Sequence, residues 1–199
     1  MARLPARRSA ALALVAGMCG YALSPRTAAA QLIALRVGSV DMQGGAMLAS
    51  DFEPGVTFGT RLAVFEMFGR NAQAGLDFTW WTADRDAQDI EVRDVAFGLS
   101  VWRPLGLAGR LVRPYAGATG AVHSLNTSRD GGAPFLGERP AEALRLEGVR
   151  LGAGLFLGLS LRLTATGAIR LLTEYRVTIL SRPVYHELRA GARLLLSAR

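Results

Sequence analysis

Between Val149 and Thr164 the chain reads "VRLGAGLFLGLSLRLT", and this stretch constrains the fold more than any other. Val149, Leu151, Ala153, Leu155, Leu157, Leu159, Leu161 and Leu163 share one parity, while Arg150, Gly152, Gly154, Phe156, Gly158, Ser160 and Arg162 share the other. A helix would scatter these leucines around its circumference, and its interior would be weakened by the glycines. A β-strand gathers all the leucines on one face.

The same period-two pattern recurs from Gln31 onward, and it predicts eight strands. They cover 32–42, 56–66, 74–83, 90–103, 112–125, 149–164, 168–181 and 184–197. The second sets Val56, Phe58, Leu62 and Val64 against Thr57, Gly59, Arg61 and Ala63. Strands of this length exceed the five or six residues usual in soluble proteins and match the roughly 9–11 residues that cross a bilayer. An even number of antiparallel strands can close on itself and leave no edge. The expected fold class is therefore all-β, an eight-stranded antiparallel up-and-down transmembrane β-barrel.

The connections alternate in character. One side carries Gln43–Gly55, Asp84–Asp89, the long Asn126–Glu147 and the short "SRPV". The other carries "MFGRNAQ", "PLGLAGRL" and "ATG". Long loops on one side and short turns on the other are the pattern of outer-membrane barrels. Aromatic residues near the expected strand ends form two candidate interface belts. Phe65, Phe68, Trp102 and Tyr115 lie toward the short turns, and Phe52, Trp80, Trp81 and Tyr185 toward the long loops. Trp102 fits its belt only if a bulge re-aims it, because it sits on the polar parity of its strand.

The polar parity is rich in Gly, Ala, Ser and Thr, with charges spaced among them. A water-facing sheet surface would carry more long polar side chains. An eight-stranded barrel has a bore just wide enough for side chains to fill, so the small parity is assigned to the lumen and the leucines to lipid. Arg61, Asp77, Asp94, Arg150, Arg162, Arg170, Glu174, Arg176, Glu187, Arg189 and Arg193 fall on that lumen parity. They can form a gate or selective pore, or a salt-bridge network that fills the lumen; the narrow bore favours the network.

The first 30 residues have the form of a cleavable secretory signal: a basic start ending at Arg8, an apolar run from Ala10 to Ala22, and "TAAAQ" with small residues at Ala28 and Ala30. Cleavage is expected between Ala30 and Gln31, leaving 31–199 as the barrel domain. An uncleaved anchor is disfavoured because the run is shorter than the roughly 20 residues of a membrane span. Cys19 follows Met18 rather than a small residue, which argues against lipidation. The formal charge of +7 includes Arg3, Arg7, Arg8 and Arg26 of this leader, so the remainder is +7 − 4 = +3. With no lysine and no basic run beyond the leader, nucleic-acid binding has no support.

Motifs for chemistry are sparse. His123 and Ser124 are adjacent and must point to opposite faces of one strand, whereas a nucleophile and its base need hydrogen-bond reach. His186 has no nearby His or Cys, so neither a metal nor a cofactor is expected. The glycine-rich "GLAGRL" and "GAGLFLG" do not lead from a strand into a helix and imply no phosphate loop.

The "TAAAQ" signal, "RPYAGATGAV" and "LGAGLFLGLSLRLT" together resemble the outer-membrane β-barrel domain family, the group containing the OmpA membrane domain, OmpX and OmpW. The resemblance covers Gln31 to the end. It implies the bacterial cell outer membrane as location, with outer-membrane lipid and the barrel insertion machinery as partners. Such chains commonly end in an aromatic residue; here "ARLLLSAR" ends in Arg199. The function expected is a monomeric, non-enzymatic barrel with a structural or surface-interaction role, its surface partner unspecified. The alternatives are an outer-membrane lipid hydrolase and a soluble periplasmic barrel holding an apolar ligand.

Overall fold

Alternating apolar and small residues, closed by short turns, give a sheet that curls until its two edges pair. The computed structural model describes residues 37–67, 72–85, 90–106, 111–129, 133–135, 140–180 and 184–196. Its strands are β1 (Ser39–Ala49), β2 (Gly55–Met67), β3 (Ala72–Arg85), β4 (Ile90–Pro104), β5 (Val112–Arg129), β6 (Gly148–Arg162), β7 (Ile169–Ile179) and β8 (Val184–Leu195). Each pairs antiparallel with the next, and β8 pairs with β1 to close the barrel. A short helix, α1 (Ala141–Leu146), stands in the connection between β5 and β6. No described helix is long and apolar enough to cross a membrane; the strands do so.

The exterior is apolar. Val149, Leu151, Leu155, Leu157 and Leu159 keep 50–75% of their surface exposed, and so do Leu76, Phe97, Leu99 and Leu188. The inward positions, by contrast, hold Asp41, Arg61, Asp77, Glu174, Arg176 and Glu187 at 5% exposure or less. A water-soluble barrel has the opposite arrangement. A continuous apolar exterior around a charged, buried interior is stable only with lipid outside, so the chain is a transmembrane barrel of the outer-membrane type. The end carrying the long β5–β6 connection is the extracellular end on that pattern, and the short turns are periplasmic.

Three sequence expectations are corrected. The first strand runs through Ala49 rather than ending at Met42, so the first outer connection shrinks to Ser50–Pro54. Gly44 and Gly45 suggested a loop, but the closing ladder pairs them with Ala190 and Arg189, and cross-strand pairing outweighs their weak strand preference. In β2 the register shifts between Ala63 and Phe65, leaving Val64 as the extra residue of a bulge. Phe65 therefore pairs with Ala74 and takes the outward face that Val64 was expected to hold. The long outer connection, expected as featureless, starts after Arg129 and contains α1.

The lumen glycines have a packing role. A Cβ on Gly158 would come within 2.5 Å of the Tyr115 ring, and one on Gly152 within 2.6 Å of the His123 imidazole. Bare backbone opposite a large side chain is how an eight-stranded bore accommodates both rings.

Leu157 lies on the outward face near the middle of β6, 56% exposed. Leu157→Arg is expected to cost about 2–4 kcal/mol in unfolding from phospholipid vesicles, as a guanidinium near the bilayer midplane should. Gly158→Arg, one residue away on the crowded inner face, should prevent formation of the compact, fast-migrating band altogether. A tolerated Gly158→Arg would reverse the assignment of faces.

Candidate functional site

The lumen is built in three layers. At mid-height four carboxylates (Asp41, Asp77, Glu174, Glu187) meet four guanidiniums (Arg61, Arg176, Arg189, Arg193), so the formal charges of this group cancel. Arg61 grips Glu174 with two parallel bonds, Nη1 to Oε2 and Nη2 to Oε1, both 3.0 Å, and gives Nε to Asp77 at 3.1 Å. Arg176 donates Nη1 and Nη2 to Asp77 at 3.0 and 2.9 Å and reaches Glu174 at 3.1 Å. Arg193 holds Asp41 with two 2.7 Å bonds. Arg189 donates to Glu187, which also accepts from the Thr57 hydroxyl at 2.6 Å. Bidentate, charge-assisted bonds of this kind are the strong ones.

All eight charged groups stand on β7, β8, β1, β2 and β3. The facing wall, β4 to β6, supplies rings instead. The Arg61 guanidinium lies 4.3 Å from the Phe156 ring centre and 5.1 Å from that of Trp102; Arg193 lies 5.5 Å from that of Tyr115. The Tyr115 hydroxyl adds a 3.1 Å bond to Glu174. Arginine favours such sites because its weakly hydrated planar cation stacks on rings while its edge binds carboxylates.

The rings of Trp102, Tyr115 and Phe156 join Ala63 and Leu172 in an apolar cluster that faces the charges and extends toward the periplasm as the floor of the lumen. Above them Met47, Trp81, Ala83, Ile90, Val92, Leu125, Leu180 and Tyr185 pack under Ala143 and Leu146 of α1, forming an apolar lid. The helix is fastened to the wall: Arg150 donates to the carbonyls of Arg145 and Leu146, and Thr127 to the carboxylate of Glu147, which follows the helix. Between lid and charges His123 Nδ1 pairs with Asp94 Oδ2 at 2.6 Å. A void of about 10 Å³ beside them, bordered by Thr119, Arg176 and Tyr185, has room for about one water.

Of the eleven charges read on the lumen parity, Arg61, Asp77, Glu174, Arg176, Glu187, Arg189 and Arg193 come together here. Asp94 is occupied by His123, and Arg150 by α1. Arg162 and Arg170 lie apart, at the periplasmic mouth. Sequence reasoning missed Asp41, because the strand was ended beside it, although Ser39, Asp41 and Gln43 alternate with Val40 and Met42. It also assigned His123 no lumen partner; its parity with Thr119 and Leu125 was the available signal.

Four expected interface aromatics are corrected. Trp102, Tyr115 and Tyr185 are 2%, 3% and 1% exposed and face inward. The β4 ladders run without a register shift, so nothing re-aims Trp102, and Tyr185 shares its parity with Glu187. Trp81, also read toward an interface, is fully buried in the lid. Trp80 and Phe65 stand on the outward face. Phe68, and the cleavage pair Ala30 and Gln31, lie outside the described residues. Among the described residues no three His, Cys, Asp or Glu side chains gather into a metal-holding group.

No family model matches the chain, and no curated protein matches it in sequence. Solved structures do. Neisserial surface protein A is 17% identical, with a TM-score of 0.57, and the match covers 79% of this chain and 96% of that one. The N-terminal β-barrel domain of Pseudomonas aeruginosa OprF is 11% identical, covering 79% and 97%, with a TM-score of 0.47. The outer-membrane enzyme PagL is 12% identical, covering 79% and 99%, with a TM-score of 0.48. The likeness is one of fold: small outer-membrane barrels of the kind to which the sequence resemblance pointed.

Glu174 accepts from Arg61, Arg176 and Tyr115. Breaking a buried pair by removing one partner typically costs about 3–5 kcal/mol. Glu174→Ala should therefore lower the temperature at which the folded, fast-migrating gel band converts to the unfolded one, with Glu174→Gln intermediate. Asp51→Ala, on an exposed outer loop, should leave it unchanged.

Proposed function

We propose that this chain is a closed, non-catalytic, monomeric barrel of the bacterial outer membrane. It acts through its extracellular rim and its lipid-facing wall rather than by passing solute or transforming substrate. The observation that carries this reading is the stacked filling of the bore: an apolar lid tied down through α1, a charge-balanced network, and an apolar floor. An ion entering from either end would have to displace rings and then break bidentate pairs.

The groups at the outer end also favour a non-catalytic role. His123 turns inward and is held by Asp94, while Ser124 takes the outward parity with Val122. On the outer face His186 Nδ1 is paired with the Tyr175 hydroxyl at 2.6 Å, an arrangement that satisfies two polar groups beside lipid rather than activating a nucleophile. Export by the 1–30 leader, cleavage before Gln31 and membrane assembly by the barrel insertion machinery belong to the same proposal. Outer-membrane lipid would be the chain's surroundings, and no cofactor is called for.

In planar bilayers the purified barrel should give no large, stable conductance, and incubation with lipid A should release no fatty acid, with or without Ser124→Ala. A reproducible open level, or acyl release abolished by Ser124→Ala, would overturn the proposal. Membrane fractionation should recover the chain in the carbonate-resistant outer-membrane pellet.

A further inference from the structure

The lumen charges balance at mid-height and fail to balance at the periplasmic mouth. Arg162 closes β6 and Arg170 stands near the start of β7, directly opposite each other in register; Arg170 in turn stands opposite Arg193 of β8. Arg113, on the inward parity of β5, pairs with Ser160, two residues from Arg162 on the same face. Three guanidiniums thus converge on one side of one mouth, next to Arg193 of the charge network. Arg193 is taken up by Asp41. Arg113, Arg162 and Arg170 have no carboxylate partner among the described residues, and Arg170 lies within electrostatic reach of the other three arginines.

Like charges directly across an antiparallel pair are destabilising. Elsewhere in this lumen Arg61, Arg150, Arg176, Arg189 and Arg193 each hold an acid or a carbonyl, so three cations side by side with no carboxylate among the described residues depart from the pattern that those five follow. They are also placed by their surroundings. Gly167, at φ +74° in the β6–β7 turn, is where a Cβ would stand 3.1 Å from the Arg162 side chain and 3.7 Å from Arg170 Nη2. The turn therefore lies against both arginines, while both residues stay partly exposed at the mouth. Arg103, outward on β4 at the same end, adds a further guanidinium at the level of the periplasmic interface.

We propose that Arg113, Arg162 and Arg170 form a phosphoryl-binding site at the periplasmic mouth. The planar forks of arginine match the oxygens of a phosphoryl group two at a time. One such anion between Arg162 and Arg170 replaces cross-strand repulsion by two sets of charge-assisted bonds. The site opens where the inner-leaflet headgroups meet the periplasm, so the group can belong to an anionic phospholipid or be free in solution.

The test measures the midpoint of heat conversion of the folded gel band, with the protein held in dodecyl maltoside micelles. One arm compares sodium phosphate with sodium chloride at matched ionic strength. The other dopes the micelles with phosphatidylglycerol or with uncharged diacylglycerol. A ligand that binds only the folded state raises its midpoint, so a rise of several degrees is expected in wild type and should vanish in R162Q/R170Q. R113Q, at an exposed position that leaves the fold intact, should reduce the rise and gives the comparison if the double variant does not fold. A rise with inorganic phosphate assigns the site to a phosphoryl group from either source; a rise with phosphatidylglycerol alone assigns it to the lipid headgroup. No rise in either arm, or an undiminished rise in R113Q and R162Q/R170Q, overturns the proposal.

Discussion

Within the hydrocarbon layer a closed sheet can place charges only inside, and there they must neutralise one another. That constraint organises this barrel. Taking an ion out of water costs several kcal/mol even after relaxation, and only good geometry with further hydrogen bonds repays it. Arg61 and Arg176 meet this requirement by sharing Asp77 and Glu174, so that each carboxylate receives donors from two cations. The wall opposite carries no matching set of charges. It offers the faces of Trp102, Tyr115 and Phe156, which accept the flat side of the same guanidiniums whose edges are spoken for. At mid-height the lumen thus has a charged side and an aromatic side, and each depends on the other for its environment.

Much of this was legible in the alternation. Period two fixes which residues share a face, and a bore of eight strands fixes which face is inside. Leu155, Leu157 and Leu159 could therefore be assigned to lipid, and Glu174 and Arg176 to the lumen, without coordinates. Partnership was not legible. Arg61 reaches Glu174 across 113 positions, and Arg193 reaches Asp41 across 152. Such pairings follow from the stagger of the closed sheet, which no local pattern encodes. The aromatics failed for a related reason. Nearness to a strand end was weighed above parity for Trp102, Tyr115 and Tyr185, and in a sheet without a bulge at those points parity decides. In β2 the reverse held: one extra residue at Val64 changed the facing of everything after it, and nothing in "RLAVFEM" announces it.

Glycine and bulk are complementary throughout the bore. Gly158 stands against Tyr115, Gly117 against Phe156, Gly59 against Arg189 and Gly152 against His123. A narrow barrel cannot hold large side chains from neighbouring strands at the same height. The glycines that look like a weakness of the strands are therefore a condition of filling the narrow lumen with large side chains.

The fastening of α1 has a consequence for what the cell exterior meets. Ala143 and Leu146 point down into the lid, whereas Ala141, Leu144 and Arg145 are exposed above it. The helix thus has a face under selection by the interior and a face open to drift. Substitutions on the exposed face can change the outer surface while the scaffold beneath stays fixed. A change in the lid, at Trp81 or Tyr185, would shift that surface without altering a single residue on it.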